Sequence, residues 1–413
     1  MAEVCIPPFY TQATLLVHTE KKDNPTGSQV MVAKTPPSSP QKHIALLLTG
    51  GGARAAYQIG VLKAIAEWYP RVHHSPFTIY CGTSAGALNA TSLACHASCF
   101  RLGVKKLSWL WTHLSTPDIF KSSFSGMFYH IGRQGFARMQ AQYHCAPPFG
   151  LLDNRPLRTL LNNVLQFNKI EHQIMTGNLR GLAITASNYQ TSRSVTFYQG
   201  QPDIEPWTRS RAIGIPSQIT TEHLLASSAI PIVFPASQIG HSYYGDGSVH
   251  QIAPLRPALK MGAERVLIID LNPRQSEQSH GLAHAPGLAA LGGHLMDAIF
   301  ADTLSADLEH LDRMNALVNA MPKTKAEALS LRQVDAFHLS PSEPFEPLVE
   351  RHYCDMPIAV RGLMRILGIS PVEDTAMTSY LLFESKYINQ LIDMGYKDTQ
   401  DRRTDLAAFL AGE

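Results

Sequence analysis

The chain has 413 residues, 45% of them hydrophobic and 16% charged, with a formal net charge of +2. That composition predicts a sizeable buried core and excludes wholesale disorder, and it leaves no global charge for nucleic acid, so any anion recognition must be local. Length allows one large domain with an appendage, or two domains.

The opening residues lack a basic start followed by a long apolar run and a small-residue cleavage site. No stretch reaches the ~18 consecutive apolar residues of a membrane span. A cytoplasmic setting, with peripheral attachment to membranes, is the expectation; export without a cleaved signal leaves no trace in such a sequence. Residues 1–42 are polar and Pro/Ser-punctuated, ending in "KTPPSSPQK", and read as a loosely held arm.

From Ile44 the pattern is α/β. "HIALLLTG" is the continuous apolar run of a strand buried on both faces, and "AAYQIGVLKAIAEW" carries apolar residues at helical spacing. "FTIYCGTSAGALNATSLAC" repeats the plan as strand, sharp turn and small-residue helix. "RGLAITASNY" and "RVLIIDLNP" are two more buried strands. Alternation of this kind predicts a mostly parallel sheet flanked by helices.

Between the second unit and Leu151 lies an aromatic-rich insertion containing Phe120, Phe124, Met127, Phe128 and Tyr129. It reads either as cover over the sheet or as a flap at the rim of a site. "LLDNRPLRTLLNNVL" then begins a helix, with Asp153 or Asn154 able to cap and Pro156 suited to the first turn. After Pro273 a Gly/Ala-rich stretch leads into helical periodicity, with Leu304, Leu308, Leu311, Met314 and Val318 on one stripe. A later amphipathic helix closes at Gly395. Three regions are therefore expected: the arm 1–42, a catalytic domain 43–273, and a mainly helical region 274–413 packed on the sheet.

The chemistry lies in three short motifs. Gly82-Thr83-Ser84-Ala85-Gly86 is a G-x-S-x-G between a strand and a helix, the context a nucleophile turn requires. Crowded backbone there demands neighbours without a β-carbon two residues to either side, and the helix N-terminus beneath Ser84 favours negative charge. Gly50-Gly51-Gly52-Ala53-Arg54 sits between the first strand and helix. As a dinucleotide fingerprint it lacks the acidic residue expected about twenty residues on. As a phosphate loop it lacks the Gly-Lys-Ser/Thr ending. As an oxyanion hole it works, because successive N–H groups from Gly51 to Ala53 can converge on one oxygen, with Arg54 adding positive charge. The serine also needs a base. The 18 histidines keep a Ser-His-Asp triad open, but Asp246, in a Tyr-Tyr-Gly-Asp-Gly turn with Gly245 and Gly247 beside it, is the better-placed candidate.

The six cysteines form no CxxC pair; Cys95 and Cys99 are at helical spacing but lack the partners that would complete a metal site. No metal or cofactor is expected.

Gly-Gly-Gly-Ala-Arg opening a helix, Gly-Thr-Ser-Ala-Gly, and Asp-Gly, in this order, resemble the patatin-like phospholipase family in its bacterial type. "LLASSAIPIVFPA" (Leu224–Ala236) resembles that family's Ala-Ser-x-Ala-x-Pro-x-x-Phe segment. The resemblance covers about residues 44–272. It implies a three-layer α/β fold, hydrolysis of lipid acyl esters at membrane surfaces, and a Ser–Asp dyad without histidine, mapped onto Ser84 and Asp246. The oxyanion role maps onto Gly50, Gly51, Gly52, Ala53 and Arg54; Gly82, Gly86 and Gly247 complete the motifs. Two small residues depart from the pattern, Ala55 for glycine and Ser248 for Gly/Ala. Two other readings are a carboxylesterase with a histidine base, His241 or His250, and a non-catalytic lipid-binding homologue.

Overall fold

The computed structural model describes residues 43–69, 73–123, 132, 148–273, 288–329, 331–366 and 375–412. The strands are β1 (Ile44–Leu48), β2 (Ile79–Thr83), β3 (Gly181–Asn188), β4 (Arg193–Gly200), β5 (Trp207–Arg209), β6 (Ala212–Pro216), β7 (Ser237–Ile239), β8 (Ser242–Asp246), β9 (Arg265–Ile269) and β10 (Asp335–Leu339). They form one sheet in the order β10-β9-β1-β2-β3-β4-β6-β5, with β8 on β3 and β7 on β8. The run from β10 to β3 is parallel throughout, and β4, β5, β7 and β8 bring in the antiparallel pairings. This is the mostly parallel, helix-flanked sheet expected.

The four strands read from the sequence as doubly buried are so. Every residue of β1, β2 and β3 is buried, as are four of the five in β9. Side chains alternate between the faces of a strand, and each face has its own core. Leu46, Leu48, Tyr80, Leu182 and Ile184 enter one, with helices α1 (Ala56–Trp68), α2 (Ala85–Ala94) and α3 (Phe100–His113). Ala45, Leu47, Ile79, Cys81 and Ala183 enter the other, where Leu304 and Leu311 of the Leu288–Ala320 helix pack.

Register brings the carboxyl ends of three strands level: Leu48 pairs with both Gly82 and Ile269. Ligands of parallel α/β sheets bind outside those ends, and here the loops after β1, β2 and β9 emerge side by side.

The C-terminal region is part of this body. It supplies β10, a short strand with mostly exposed or half-exposed residues pairing β9 at the sheet edge, which helical periodicity in its neighbours concealed. Its Ser385–Asp401 helix crosses α1 at two glycines. A Cβ on Gly60 would strike the Ile392 carbonyl, and one on Gly395 would strike that of Tyr57. Gly395, read from sequence as the end of a helix, is therefore a mid-helix contact that lets two backbones touch. The buried Tyr57 hydroxyl donates to Asp398 Oδ2 at 3.0 Å beside this crossing. The helix expected near Pro156 runs from Arg155 to Val164. Asp153 caps it, accepting the Arg155 N–H at 3.1 Å.

Candidate active site

β2 ends at Thr83, and Ser84 follows with φ 54° and ψ −127°, a conformation that L-residues rarely adopt. The flanking glycines make the turn possible. A Cβ on Gly82 would run into the Gly86 carbonyl, and one on Gly86 into the carbonyls of Leu48 and Thr49. Ser84 O accepts the Ala87 N–H at 3.0 Å, which starts α2.

Asp246 reaches the same point from the opposite direction. β2 lies along β3 as far as the pair Thr83–Thr185, and β8 takes up β3 from the next pair, Asp246–Ala186, running antiparallel. Since β4 occupies the whole other edge of β3, β2 and β8 share one edge and meet end to end. Their carboxyl ends, carrying Ser84 and Asp246, face each other. Gly247 is required at the junction: its Cβ would collide with the Thr185 carbonyl and lie 2.8 Å from Thr83 Cγ2.

The segment Leu224–Ala236 frames this junction, a role its sequence did not disclose. Ser227 Oγ accepts the Ser84 N–H at 2.9 Å and donates to Thr185 O at 2.6 Å. Two residues on, Ala229 O accepts the Asp246 N–H at 2.9 Å. Both candidate catalytic residues thus hang from one short stretch.

Asp246 is 0% exposed. Its Oδ1 accepts the Ser248 N–H at 3.0 Å, whereas Oδ2 is buried without a partner at ordinary hydrogen-bonding length. Burial pushes the carboxyl up to about 6, and the nearby hydroxyl of Ser84 and the groups of Ser248 pull it part of the way back.

The glycine loop stands beside the serine. Gly52 has φ 55°, the left-handed region natural to glycine, and opens a short 3-10 turn, Gly52–Ala55, that feeds α1. Arg54 N–H closes the turn onto Gly51 O at 3.1 Å, and Gln58 Nε2 donates to Thr49 O at 2.9 Å. Gln58 in turn accepts from Asn89, which accepts from Trp111, each at 2.8 Å. This buried amide chain ties the loop to α1, α2 and α3.

Other restraints come from far along the chain. A Cβ on Gly52 would strike the Tyr380 carbonyl, and one on Gly51 would lie 2.5 Å from Leu271 Cδ1. Arg54, 4% exposed, turns its guanidinium to the C-terminal region. Nε donates to Ser379 Oγ at 2.6 Å and Nη1 to the Tyr380 hydroxyl at 3.2 Å, and the group lies 4.2 Å from the Tyr380 ring centroid. A desolvated guanidinium over an aromatic face is held firmly.

Gly52 and Ser84 open into a narrow cavity of about 50 Å³. Its walls are apolar: Leu88, Trp111, Leu157, Phe234, and, from the C-terminal region, Tyr380 and Phe383. Phe120 of the aromatic insertion is fully buried behind it, 6.1 Å from the Phe234 ring; Phe124, Met127, Phe128 and Tyr129 lie outside the described residues. Neither His241 nor His250 lines this cavity. Among the described residues no group of three or more His, Cys, Asp or Glu could hold a metal ion, and no helix is long and apolar enough to cross a membrane.

Comparison with solved structures finds VipD from Legionella pneumophila, 13% identical over 79% of this chain and 67% of that one, with a TM-score of 0.32. Human GIVD cytosolic phospholipase A2 in complex with methyl γ-linolenyl fluorophosphonate is 11% identical over 90% of this chain and 60% of its own, with a TM-score of 0.40. Full-length ExoU with SpcU, from the type III secretion system of Pseudomonas aeruginosa, is 14% identical over 90% and 79%, with a TM-score of 0.25. No curated protein sequence matches the chain. The sequence profile of patatin-like phospholipases matches residues 46–259, more than half of the chain. Since that span holds the glycine loop, the Ser84 turn and the Asp246 turn together, the chain belongs to the patatin-like phospholipase family.

Proposed function

We propose that the protein is a serine lipid acyl hydrolase of the phospholipase A or lysophospholipase type, working through Ser84 and Asp246 on lipid esters at membrane surfaces. The observation that carries this reading is the end-to-end meeting of β2 and β8, which sets Ser84 before a buried carboxylate and at the mouth of an apolar cavity. A cavity walled by Leu88, Trp111 and Phe234 suits an acyl chain and offers little to a polar substrate.

Asp246 Oδ2 takes the Ser84 hydroxyl proton as Oγ bonds to the ester carbonyl carbon. The two groups are drawn within hydrogen-bonding reach when substrate is seated. The carbonyl oxygen becomes an oxyanion, held by the amides of Gly51, Gly52 and Ala53 in the loop that begins at Gly50. Each such donor supplies about 3 kcal/mol to the transition state. The C–O bond to the alcohol then breaks, and the proton passes from Asp246 to the departing alkoxide. Water, giving a proton to Asp246, then bonds to the acyl carbon; the C–Oγ bond to Ser84 breaks, the proton passes from Asp246 to Oγ, and the fatty acid leaves. Arg54 acts here as a positioning residue, since Ser379 and Tyr380 hold its guanidinium.

A fluorophosphonate probe with an alkyl tail tests this directly. It should modify Ser84, and the labelled protein should release no fatty acid from phosphatidylcholine or lysophosphatidylcholine. Labelling at another serine, with Ser84→Ala still hydrolysing both lipids, would sink the proposal.

A further inference from the structure

The sheet has a second hollow, on the face opposite the acyl cavity. Along β4, Val195 and Phe197 enter the core that surrounds the cavity. The alternation of a strand sends Ser194 and Thr196 to the other face, the side on which Tyr198 joins the second core. These two hydroxyls, each on a residue 5% exposed, belong to a cleft of about 260 Å³. Arg209 and Arg211 reach it from the β5–β6 hairpin, Arg256 from the start of the Arg256–Lys260 helix, and His250 from the turn after Asp246.

Three features set the cleft apart from an ordinary solvated surface. No carboxylate lines it. Among the described residues none of its three arginines is in an ion pair; the arginine pairs are those of Arg155, Arg158, Arg180, Arg313 and Arg402. Asp307, which feels the charge of Arg256, already accepts the Leu255 N–H at 2.8 Å. Finally, His250 Nδ1 is buried without a hydrogen-bond partner, and burial together with the charge of Arg211 holds the ring's pKa below its usual value. Asp307 offsets part of the charge of Arg256, whereas Arg209 and Arg211 face no carboxylate in the cleft, and like charges gathered in this way favour an anion that can join them.

We propose that this cleft binds a phosphate-bearing anion of at least two negative charges, a phosphomonoester or a diphosphate. Guanidinium forks match the spacing of phosphate oxygens and bond them in pairs, and the Ser194 hydroxyl can donate to a remaining oxygen, while that of Thr196 is shared with Thr185 Oγ1 at 3.1 Å. A single carboxylate would satisfy one arginine and leave the others uncompensated. The Trp207 ring in the wall is already stacked on Tyr198, with centroids 5.0 Å apart, so it is not a free platform for a nucleobase. The ligand's phosphate is thus the recognised group, whether it is carried by a small solute or by a lipid headgroup.

Two probes separate those sources. The full chain is titrated calorimetrically with inorganic pyrophosphate, and sedimented with phosphatidylcholine vesicles that contain or lack phosphatidylinositol 4-phosphate. The comparison protein is Arg209→Gln/Arg211→Gln, two substitutions at exposed hairpin positions, with the thermal midpoint as the check on folding. The wild type should bind pyrophosphate, or the phosphoinositide vesicles, or both, and the double variant should lose that affinity by about tenfold or more. Binding of pyrophosphate alone identifies a soluble ligand, and binding of the vesicles alone a lipid headgroup. Binding of neither by the wild type, or undiminished binding by a folded double variant, overturns the proposal. His250→Ala provides a second arm, since its ring nitrogen is the buried one: it too should weaken binding, and unchanged affinity removes the cleft as the site.

Discussion

The two glycine turns at the carboxyl edge of the sheet are held in different ways. The Ser84 turn is braced by atoms close to it in the fold and inside the family-matched stretch: the carbonyls of Leu48 and Thr49 against Gly86, and the hydroxyl of Ser227 on its N–H. The Gly50–Arg54 loop leans on Leu271, Ser379 and Tyr380, all beyond that stretch. The Ser84 turn is thus held within the matched stretch, whereas the loop proposed to hold the oxyanion, tied to its own helix through Gln58, leans in addition on residues more than three hundred positions later.

The sharpest cut through the comparison is Ser84→Ala. It should remove ester hydrolysis by roughly 10⁴- to 10⁶-fold, the range for a lost nucleophile, with the thermal midpoint little changed. Residual turnover near the wild-type rate would place the chemistry elsewhere.

Asp246 gives the next effect, and its sign is fixed by its raised pKa of about 6 against an ordinary 3.8. The fold retains this proton to higher pH than the unfolded chain. Its stabilising contribution is full below pH 3.8 and is lost as pH rises through about 6. Above that pH the buried charge costs on the order of 3 kcal/mol, so Asp246→Asn should raise stability measured by urea unfolding at pH 8 and change little at pH 4. A base must be ionised, so kcat/KM of the wild type should fall about tenfold per pH unit below the same pKa. A variant no more stable at pH 8 than the parent would mean that the carboxylate is better solvated than its burial implies.

The loop is probed by Ser379→Ala/Tyr380→Phe, which strips two hydrogen bonds from Arg54 while keeping the Tyr380 ring. Bonds to a charged group are worth about 1.5–3 kcal/mol. We expect kcat on a short soluble ester to drop about tenfold to a hundredfold, with KM nearly constant and Ser84 still reactive. Equal losses in kcat and in the rate of fluorophosphonate labelling of a destabilised protein would point to general damage. Full activity would show that the loop holds itself, and the contrast between the two turns would vanish.

The smallest expected effect concerns strain. Ser84 sits at φ 54°, where glycine is at ease, so Ser84→Gly should stabilise the protein by ~1 kcal/mol in urea unfolding while abolishing hydrolysis. Destabilisation instead would mean that contacts of the hydroxyl outweigh the strain.

What the sequence disclosed followed from range. β1, β2, β3 and β9 are buried on both faces, and continuous apolar runs such as Ile44–Leu48 announce that without further context. The spacing of Gly82, Ser84 and Gly86 is equally local, because each glycine answers a crowding created by its own turn. Long-range partners leave no such mark. Nothing in "TAMTSYLLF" announces that Ser379 and Tyr380 embrace an arginine in the first turn of the fold. Ser227 looks like one more small helical residue until its hydroxyl is found bridging Ser84 and Thr185. Gly395 resembles a helix terminator because glycine commonly is one, and only the approach of Tyr57 shows it to be a crossing point.

The docking of the Thr375–Leu381 helix against the glycine loop has a consequence in time. During synthesis Ser84 and Asp246 leave the ribosome well before Ser379, and at ~5–20 residues per second the interval lasts several seconds or more. Through that interval the nascent chain carries its nucleophile turn but not the residues that grip Arg54 and wall the cavity.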